Sequence, residues 1–144
     1  MNPKTPVVVA ARVLLALMFI LAGINKFGNL EGTAGYVASG GLPLAGLLAP
    51  LVATLEVVAG LMVLVGWQAR WAALALALFT LAASVLFHAF WSMPADKAYL
   101  QQLMFLKNLA VAGGLLLIYS FGAGPGSLDA RREQGAAPAG ARYA

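Results

Sequence analysis

Ionisable and amide side chains interrupt four long segments that are otherwise almost entirely apolar. In chain order these residues are Arg12, Asn25, Lys26, Glu56, His88, Lys107 and Asn108. A charged group at the centre of a bilayer costs about 2.5–3.5 kcal/mol even on the gentler insertion scales. Such side chains should therefore face the inside of a helical bundle and contact one another there.

Several of these residue types can transfer protons or donate hydrogen bonds to a bound molecule. A carboxylate near the middle of its segment, such as Glu56, can exchange a proton, and histidine and lysine can donate to a carbonyl oxygen. Each also has a structural explanation, as a counter-ion, an interfacial side chain or a helix–helix contact. The candidate catalytic residues are Glu56, His88 and Lys107, and the candidate cofactor-binding residues are Arg12, Lys26 and Asn108. One histidine and no cysteine fall short of a usual metal-ligand set, so no metal is expected.

The segments that carry these residues have the length of membrane-spanning helices. They cover residues 6–24, 45–65, 71–90 and 103–121. About 20 residues at 1.5 Å each cross a hydrocarbon core of about 30 Å. The chain is 62% hydrophobic and 10% charged, against about 25% charged residues in soluble domains. The sequence predicts an all-α integral membrane protein, a bundle of four transmembrane helices.

The chain is expected to form one transmembrane domain, residues 1–129, followed by a disordered cytoplasmic tail, residues 130–144. Residues 25–41, 66–70 and 91–97 are predicted loops. An uncleaved first helix is favoured over a signal peptide because Arg12 interrupts the first segment.

Basic residues are concentrated at one end of the predicted bundle. That end holds Lys4, Arg12, Arg70, Arg131, Arg132 and Arg142, whereas the other end has two lysines offset by two acids. The positive-inside rule then places both termini in the cytoplasm. The net charge of +4 is explained by topology and does not indicate a nucleic-acid partner.

Helical spacing predicts which face of each segment points inward. The four predicted inner faces are Arg12, Ala16, Phe19, Gly23 and Lys26; Ala49, Ala53, Glu56 and Gly60; Ala77, Leu81, Ser84, His88 and Trp91; and Lys107, Val111 and Gly114. One carboxylate then faces several bases. Either Lys26 reaches the interface, or Lys107 is deprotonated, or an anionic or electron-rich ligand completes the site.

The ordered polar pattern resembles the DoxX family of membrane proteins. The similarity runs from Arg12 through Gly23, Lys26 and Phe27, through the Gly-Leu-Pro segment 41–43, to Glu56 and Gly60. Phe105-Leu106-Lys107-Asn108-Leu109 and Gly113-Gly114 continue it in the fourth segment. The resemblance implies a four-helix protein of the bacterial inner membrane, linked to thiosulfate:quinone oxidoreduction or to redox-stress complexes.

Three functions follow from this pattern and resemblance. The first is a membrane subunit of a quinone-linked oxidoreductase. A quinone would occupy a polar pocket formed by the inward-facing polar side chains, and a redox partner subunit would supply electrons. The second is a scaffold or assembly factor that packs a partner helix through small residues at Ala72, Ala73 and Ala77. A homo-oligomer is the alternative to a redox partner subunit. The third is a path for a small anion or protons. In each case the lipid bilayer is the surrounding solvent.

Overall fold

A computed structural model describes residues 5–136 of the chain, and this part is helical without strands. The elements are α1 (Thr5–Gly28), α2 (Leu30–Ser39), α3 (Ala45–Val65), α4 (Ala69–Phe87), a 3₁₀ turn (Phe90–Ser92), α5 (Ala95–Phe121) and α6 (Leu128–Ala136). Within residues 5–136, four segments are long and apolar enough to cross a membrane: α1, α3, α5, and α4 taken together with the turn that follows it. The predicted all-α bundle of four transmembrane helices is confirmed.

The bundle consists of two main helix pairs. Helix α1 packs chiefly on α3, and α4 packs chiefly on α5, while α3 and α4 join the pairs. Because the helices alternate in direction, α1 and α4 begin where α3 and α5 end, and we call this the Arg12 end. The opposite end, where α4 is followed by His88, is called the His88 end.

Glycines allow α1 and α3 to approach closely. A Cβ atom added at Gly23 would lie 2.7 Å from Val57 Cγ2 and 2.8 Å from the carbonyl oxygen of Ala53. A Cβ atom at Gly60, on the facing helix, would lie 2.9 Å from Ile20 Cγ1. Small residues at such crossings are the usual means of bringing membrane helices together.

At the Arg12 end, the Arg12 side chain is buried and connects three parts of the chain. Its Nε donates to Leu64 O (3.2 Å), its Nη1 to Ala123 O (2.7 Å) and its Nη2 to Gly126 O (3.2 Å). The last carbonyls of a helix have no intrahelical donor. Arg12 therefore fastens α1 to the end of α3 and to the segment that follows α5.

Two further side chains complete the helix ends at this side of the bundle. Arg70 Nη1 donates to the carbonyl oxygen of Ser120 at 2.7 Å, near the end of α5. The Asp129 carboxylate accepts from the backbone N–H groups of Gln68 and Ala69, both at 2.9 Å, at the start of α4. The segment after α5 is thus held against the bundle by side chains as well as by backbone contacts.

The loop predicted at residues 25–41 contains α2. Asn29 caps this helix, since its Oδ1 accepts from Gly32 N at 2.9 Å. Helix α5 begins at Ala95, eight residues before the predicted segment, with Asp96 in its first turn. An acid there favours a helix start through the helix dipole. The glycine and charge content of both stretches suggested loops, but the Asn29 cap favours a helix in the first and Asp96 in the first turn favours one in the second.

The tail predicted to be disordered from residue 130 is helical as far as Ala136. Ser127 Oγ accepts from Ala130 N at 3.1 Å and so caps α6. The remainder of that prediction, residues 137–144, lies outside the described residues.

We expect Gly23→Ala to destabilise the protein by about 1–3 kcal/mol, because the added methyl group would overpack the α1–α3 crossing. Gly113→Ala is the matched control, since a Cβ atom there meets nothing within 4 Å and alanine favours the helix. Denaturant titration in detergent, followed by circular dichroism, measures both. Equal stability of the two variants would contradict the close crossing.

We expect Arg12→Met to lower stability by about 1.5–3 kcal/mol, the usual contribution of a hydrogen bond to a charged group, because three carbonyls would lose their donor. Arg131→Met, at an exposed position on α6, should change little. Thermal melting in nanodiscs compares the two variants. A melting temperature for Arg12→Met equal to that of the control would argue against the contacts of Arg12.

Candidate functional site

A cavity of about 390 Å³ lies between the helices in the half of the bundle toward the His88 end. Its polar lining residues are Lys26, Thr33, Tyr36, Glu56, Thr80, His88, Lys107 and Asn108. The rest of the lining is apolar, and helices α1 to α5 all contribute to it. The volume and the mixture of an apolar wall with a few polar groups are typical of small-molecule sites.

The structure brings five of the six predicted site residues to this cavity. They are Lys26, Glu56, His88, Lys107 and Asn108. Arg12 does not line it, because its guanidinium group is directed to backbone carbonyls at the opposite end. We therefore assign Arg12 to the framework of the bundle and keep the other five as candidate site residues.

Lys26 and Glu56 form an ion pair, with Lys26 Nζ 2.7 Å from Glu56 Oε2. The Glu56 side chain is 5% exposed and that of Lys26 is 28% exposed. The missing side chain at Gly23 makes room beside Glu56, whose Cβ would lie 3.1 Å from a Cβ added there. In the pair the two charges offset each other, whereas either charge alone would be costly to place in hydrocarbon.

His88 follows the last residue of α4, and its ring is held by a residue that the sequence analysis missed. His88 Nδ1 lies 2.7 Å from Gln101 Oε1 on α5. With this amide oxygen as acceptor, Nδ1 carries the hydrogen and Nε2 is the free nitrogen. Gln101 precedes Asn108 by seven residues, and this helical spacing could have placed both on one face.

Thr80 is a second residue that the sequence analysis missed. It is 4% exposed, and its Oγ1 is the one buried side-chain polar atom in residues 5–136 without a hydrogen-bond partner. The predicted inner face of α4 included Leu81, but Leu81 is 36% exposed and the buried face passes through Ala77, Thr80 and Ser84. The predicted and buried faces share Ala77 and Ser84 and differ at one helical step, where Thr80 is buried in place of Leu81.

The inner face of α5 is also shifted by one residue. The buried residues are Asn108, Ala112 and Leu115, rather than the predicted Lys107, Val111 and Gly114. Lys107 is exposed while still lining the cavity, so it lies at the mouth. Its side chain makes no hydrogen bond or ion pair with any other described residue.

An aromatic pair borders the cavity toward the His88 end. Tyr36 on α2 stacks on Phe87 at the end of α4, with ring centroids 4.6 Å apart and an interplanar angle of 21°. Both residues line the cavity. A Cβ atom at Gly40, directly after α2, would lie 2.5 Å from the Phe87 ring, so the end of α2 lies close to the end of α4.

The sequence that builds this site is similar to known proteins. A family model described as DoxX matches residues 7–89, more than half of the chain. The chain belongs to the DoxX family. The match spans α1 to α4 and so contains Arg12, Lys26, Glu56 and His88, but ends before α5.

Curated relatives are similar to the chain over most of its length. The chain is 35% identical over 121 residues to the inner membrane protein YphA of Escherichia coli, covering 84% of this chain and 86% of that protein. It is 39% identical over 122 residues to the inner membrane protein YqjF of the same organism, covering 85% and 88%. A surfeit locus protein 4 homolog of Schizosaccharomyces pombe is 30% identical over 134 residues, 92% of this chain and 39% of that protein. No solved structure matches the chain.

Within residues 5–136 no three His, Cys, Asp or Glu side chains are grouped closely enough to hold a metal ion. The polar groups that the described residues bring to this DoxX cavity are an ion pair, a histidine and hydrogen-bond donors.

We expect Lys26→Met to destabilise the protein more than the double variant Lys26→Met/Glu56→Gln. The single change leaves a buried carboxylate unpaired, which costs about 3–5 kcal/mol in soluble proteins, whereas the double change removes both charges. Stability of the wild type, both single variants and the double variant gives the coupling energy. Additive effects would mean that the two side chains do not interact in the bilayer.

Proposed function

We propose that this DoxX protein is a membrane subunit of a quinone-linked oxidoreductase and that the cavity binds the quinone head group. The observation that carries the proposal is the buried Thr80 hydroxyl without a partner. An unsatisfied buried hydroxyl costs about 1–3 kcal/mol. A ligand with an acceptor oxygen would remove that cost.

The residues of the cavity fit a quinone. A quinone carbonyl accepts hydrogen bonds, and the free groups at Thr80, Asn108 and Lys107 can all donate them. The apolar wall, with the Tyr36 and Phe87 rings on one side, suits a flat ring that arrives from the lipid phase. The donors and the apolar wall together favour a ring with carbonyl groups over a fully polar metabolite.

Proton transfer is assigned to the titratable groups of the cavity. Reduction of a quinone to a quinol takes two electrons and two protons. We assign proton uptake and release to two of these titratable groups, Glu56 and His88. The chain has no cysteine, and within residues 5–136 no three His, Asp or Glu side chains are grouped to hold a metal ion. We assign the electrons to a redox centre in a partner subunit, which is oxidised as the quinone is reduced.

The inner membrane is the proposed location, with both termini in the cytoplasm. YphA and YqjF are named as inner membrane proteins. The structure places the start of α1, Arg70 and α6 at one end of the bundle. The positive-inside rule favours the cytoplasm for this end, and the cavity is then in the half toward the periplasm.

The scaffold alternative receives less support than the sequence suggested. The small residues proposed as a docking face, Ala72, Ala73 and Ala77, are 4%, 0% and 0% exposed. They pack in the core between helices of this same chain. They are therefore not available to a partner helix.

We expect near-stoichiometric quinone to co-purify with the wild-type protein in nanodiscs. In Thr80→Val the amount of bound quinone should fall several-fold. Thr54→Val is the matched control, because Thr54 is exposed and its hydroxyl already donates to Pro50 O at 2.7 Å. Organic extraction and mass spectrometry measure the bound quinone, with empty nanodiscs as the blank. Quinone at the blank level, or equal amounts in both variants, would rule out this role for the cavity.

A further inference from the structure

Lys107 lies well inside the hydrocarbon region. It is the thirteenth of the 27 residues of α5, about 18 Å along a helix of about 40 Å. The helix exceeds a core of about 30 Å by about 10 Å. Even if all of this excess projected at the His88 end, the Lys107 backbone would lie about 8 Å below the edge of the core. The residue therefore enters the cavity from within the membrane.

No acidic side chain of the described chain is available to balance Lys107. The titratable groups that line the cavity are Lys26, Tyr36, Glu56, His88 and Lys107. Glu56 is the single carboxylate among them, and its Oε2 is 2.7 Å from Lys26 Nζ. The other acids in residues 5–136 are Glu31, Asp96, Asp129 and Glu133, which lie in α2, in the first turn of α5 or in α6. The cavity lining therefore has two lysines and one carboxylate, and that carboxylate is already paired with Lys26, which leaves Lys107 without an acidic partner.

The free polar groups of the cavity also favour an acceptor with negative charge. Thr80 and Asn108 can donate on the inner side, and Lys107 donates at the mouth. A neutral carbonyl would satisfy the donors but would leave the ammonium group uncompensated in a medium of low dielectric constant. A ligand that carries both a carbonyl and an ionised oxygen would satisfy both requirements.

We infer that the ligand of this cavity is an acidic quinoid ring, bound as an anion whose charge pairs with Lys107. This inference rests on the proposed quinone site and specifies its substrate class. The carbonyl side of the ring lies toward Thr80 and Asn108, and the ionised substituent lies toward the mouth. A neutral quinone is then the weaker ligand.

The test compares two naphthoquinones of nearly equal size. One is neutral 2-methyl-1,4-naphthoquinone, and the other is 2-hydroxy-1,4-naphthoquinone, which is ionised at neutral pH. Equilibrium dialysis against protein in nanodiscs, with empty nanodiscs subtracted, gives the affinity for each. We expect the wild type to bind the ionised compound about tenfold more tightly, equivalent to about 1.4 kcal/mol.

Variants of two lysines on α5 test whether Lys107 causes the preference for the ionised compound. Lys107→Met should abolish it, and Lys107→Arg should retain it. Lys97→Met is the matched control, because Lys97 lies in the first turns of α5 and does not line the cavity. If Lys107→Met does not fold, Lys107→Gln replaces it.

The outcomes separate this inference from the proposed function. Equal or tighter binding of the neutral compound, or a preference that persists in Lys107→Met, would overturn the acidic ligand and leave the quinone site standing. Binding of neither compound above empty nanodiscs would reject both. A third arm adds sulfate to the neutral compound. A Lys107-dependent rise in its affinity would assign the negative charge to a free inorganic anion and overturn the acidic ring.

Discussion

The ion pair between Lys26 and Glu56 is the constraint on which the rest of the bundle depends. A carboxylate at 5% exposure in a membrane helix needs a cation at contact distance, and Lys26 is 30 positions away in sequence. The pair forms because Gly23 and Gly60 let α1 and α3 cross closely. Once these two helices are fixed, the cavity beside the pair is bounded by α4, α5 and α2.

The polar groups in the two halves of the bundle differ in how completely they are hydrogen-bonded. At the Arg12 end, Arg12, Arg70 and Asp129 are each hydrogen-bonded to backbone groups of helix ends. In the other half, Thr80 has no partner and Lys107 contacts no acceptor among the described residues. Satisfied groups make a rigid framework, whereas unsatisfied groups in a cavity are typical of a binding site. This contrast supports a site in the half toward His88 and a structural role for Arg12.

Much of this arrangement is predictable from the sequence, because few arrangements of charge are stable in lipid. Hydropathy located the four spans, and the cost of buried charge predicted that Lys26, Glu56 and His88 would share one region. The predictions that were wrong or incomplete concern α2, the inner faces of α4 and α5, and two missed site residues, and each has a local cause. Helix α2 depends on a cap at Asn29, the predicted face of α5 was shifted by one residue, and that of α4 included Leu81 where Thr80 is buried. Thr80 was missed because an uncharged polar residue in an apolar segment gives only a weak signal. Gln101 was missed because it precedes the predicted fourth segment and its pairing with His88 depends on the three-dimensional crossing.

The division of the site among the helices bears on how a DoxX cavity can acquire specificity. The family match covers α1 to α4, which hold the ion pair, Thr80 and His88, whereas Lys107 and Asn108 lie on α5. Helix α5 packs chiefly on α4 and barely touches α1. Substitutions on its cavity face can therefore change the charge and shape presented to a ligand without disturbing the α1–α3 crossing. In this arrangement α5 can vary in the residues that it presents to the cavity, while α1 to α4 keep the ion pair, Thr80 and His88 in place.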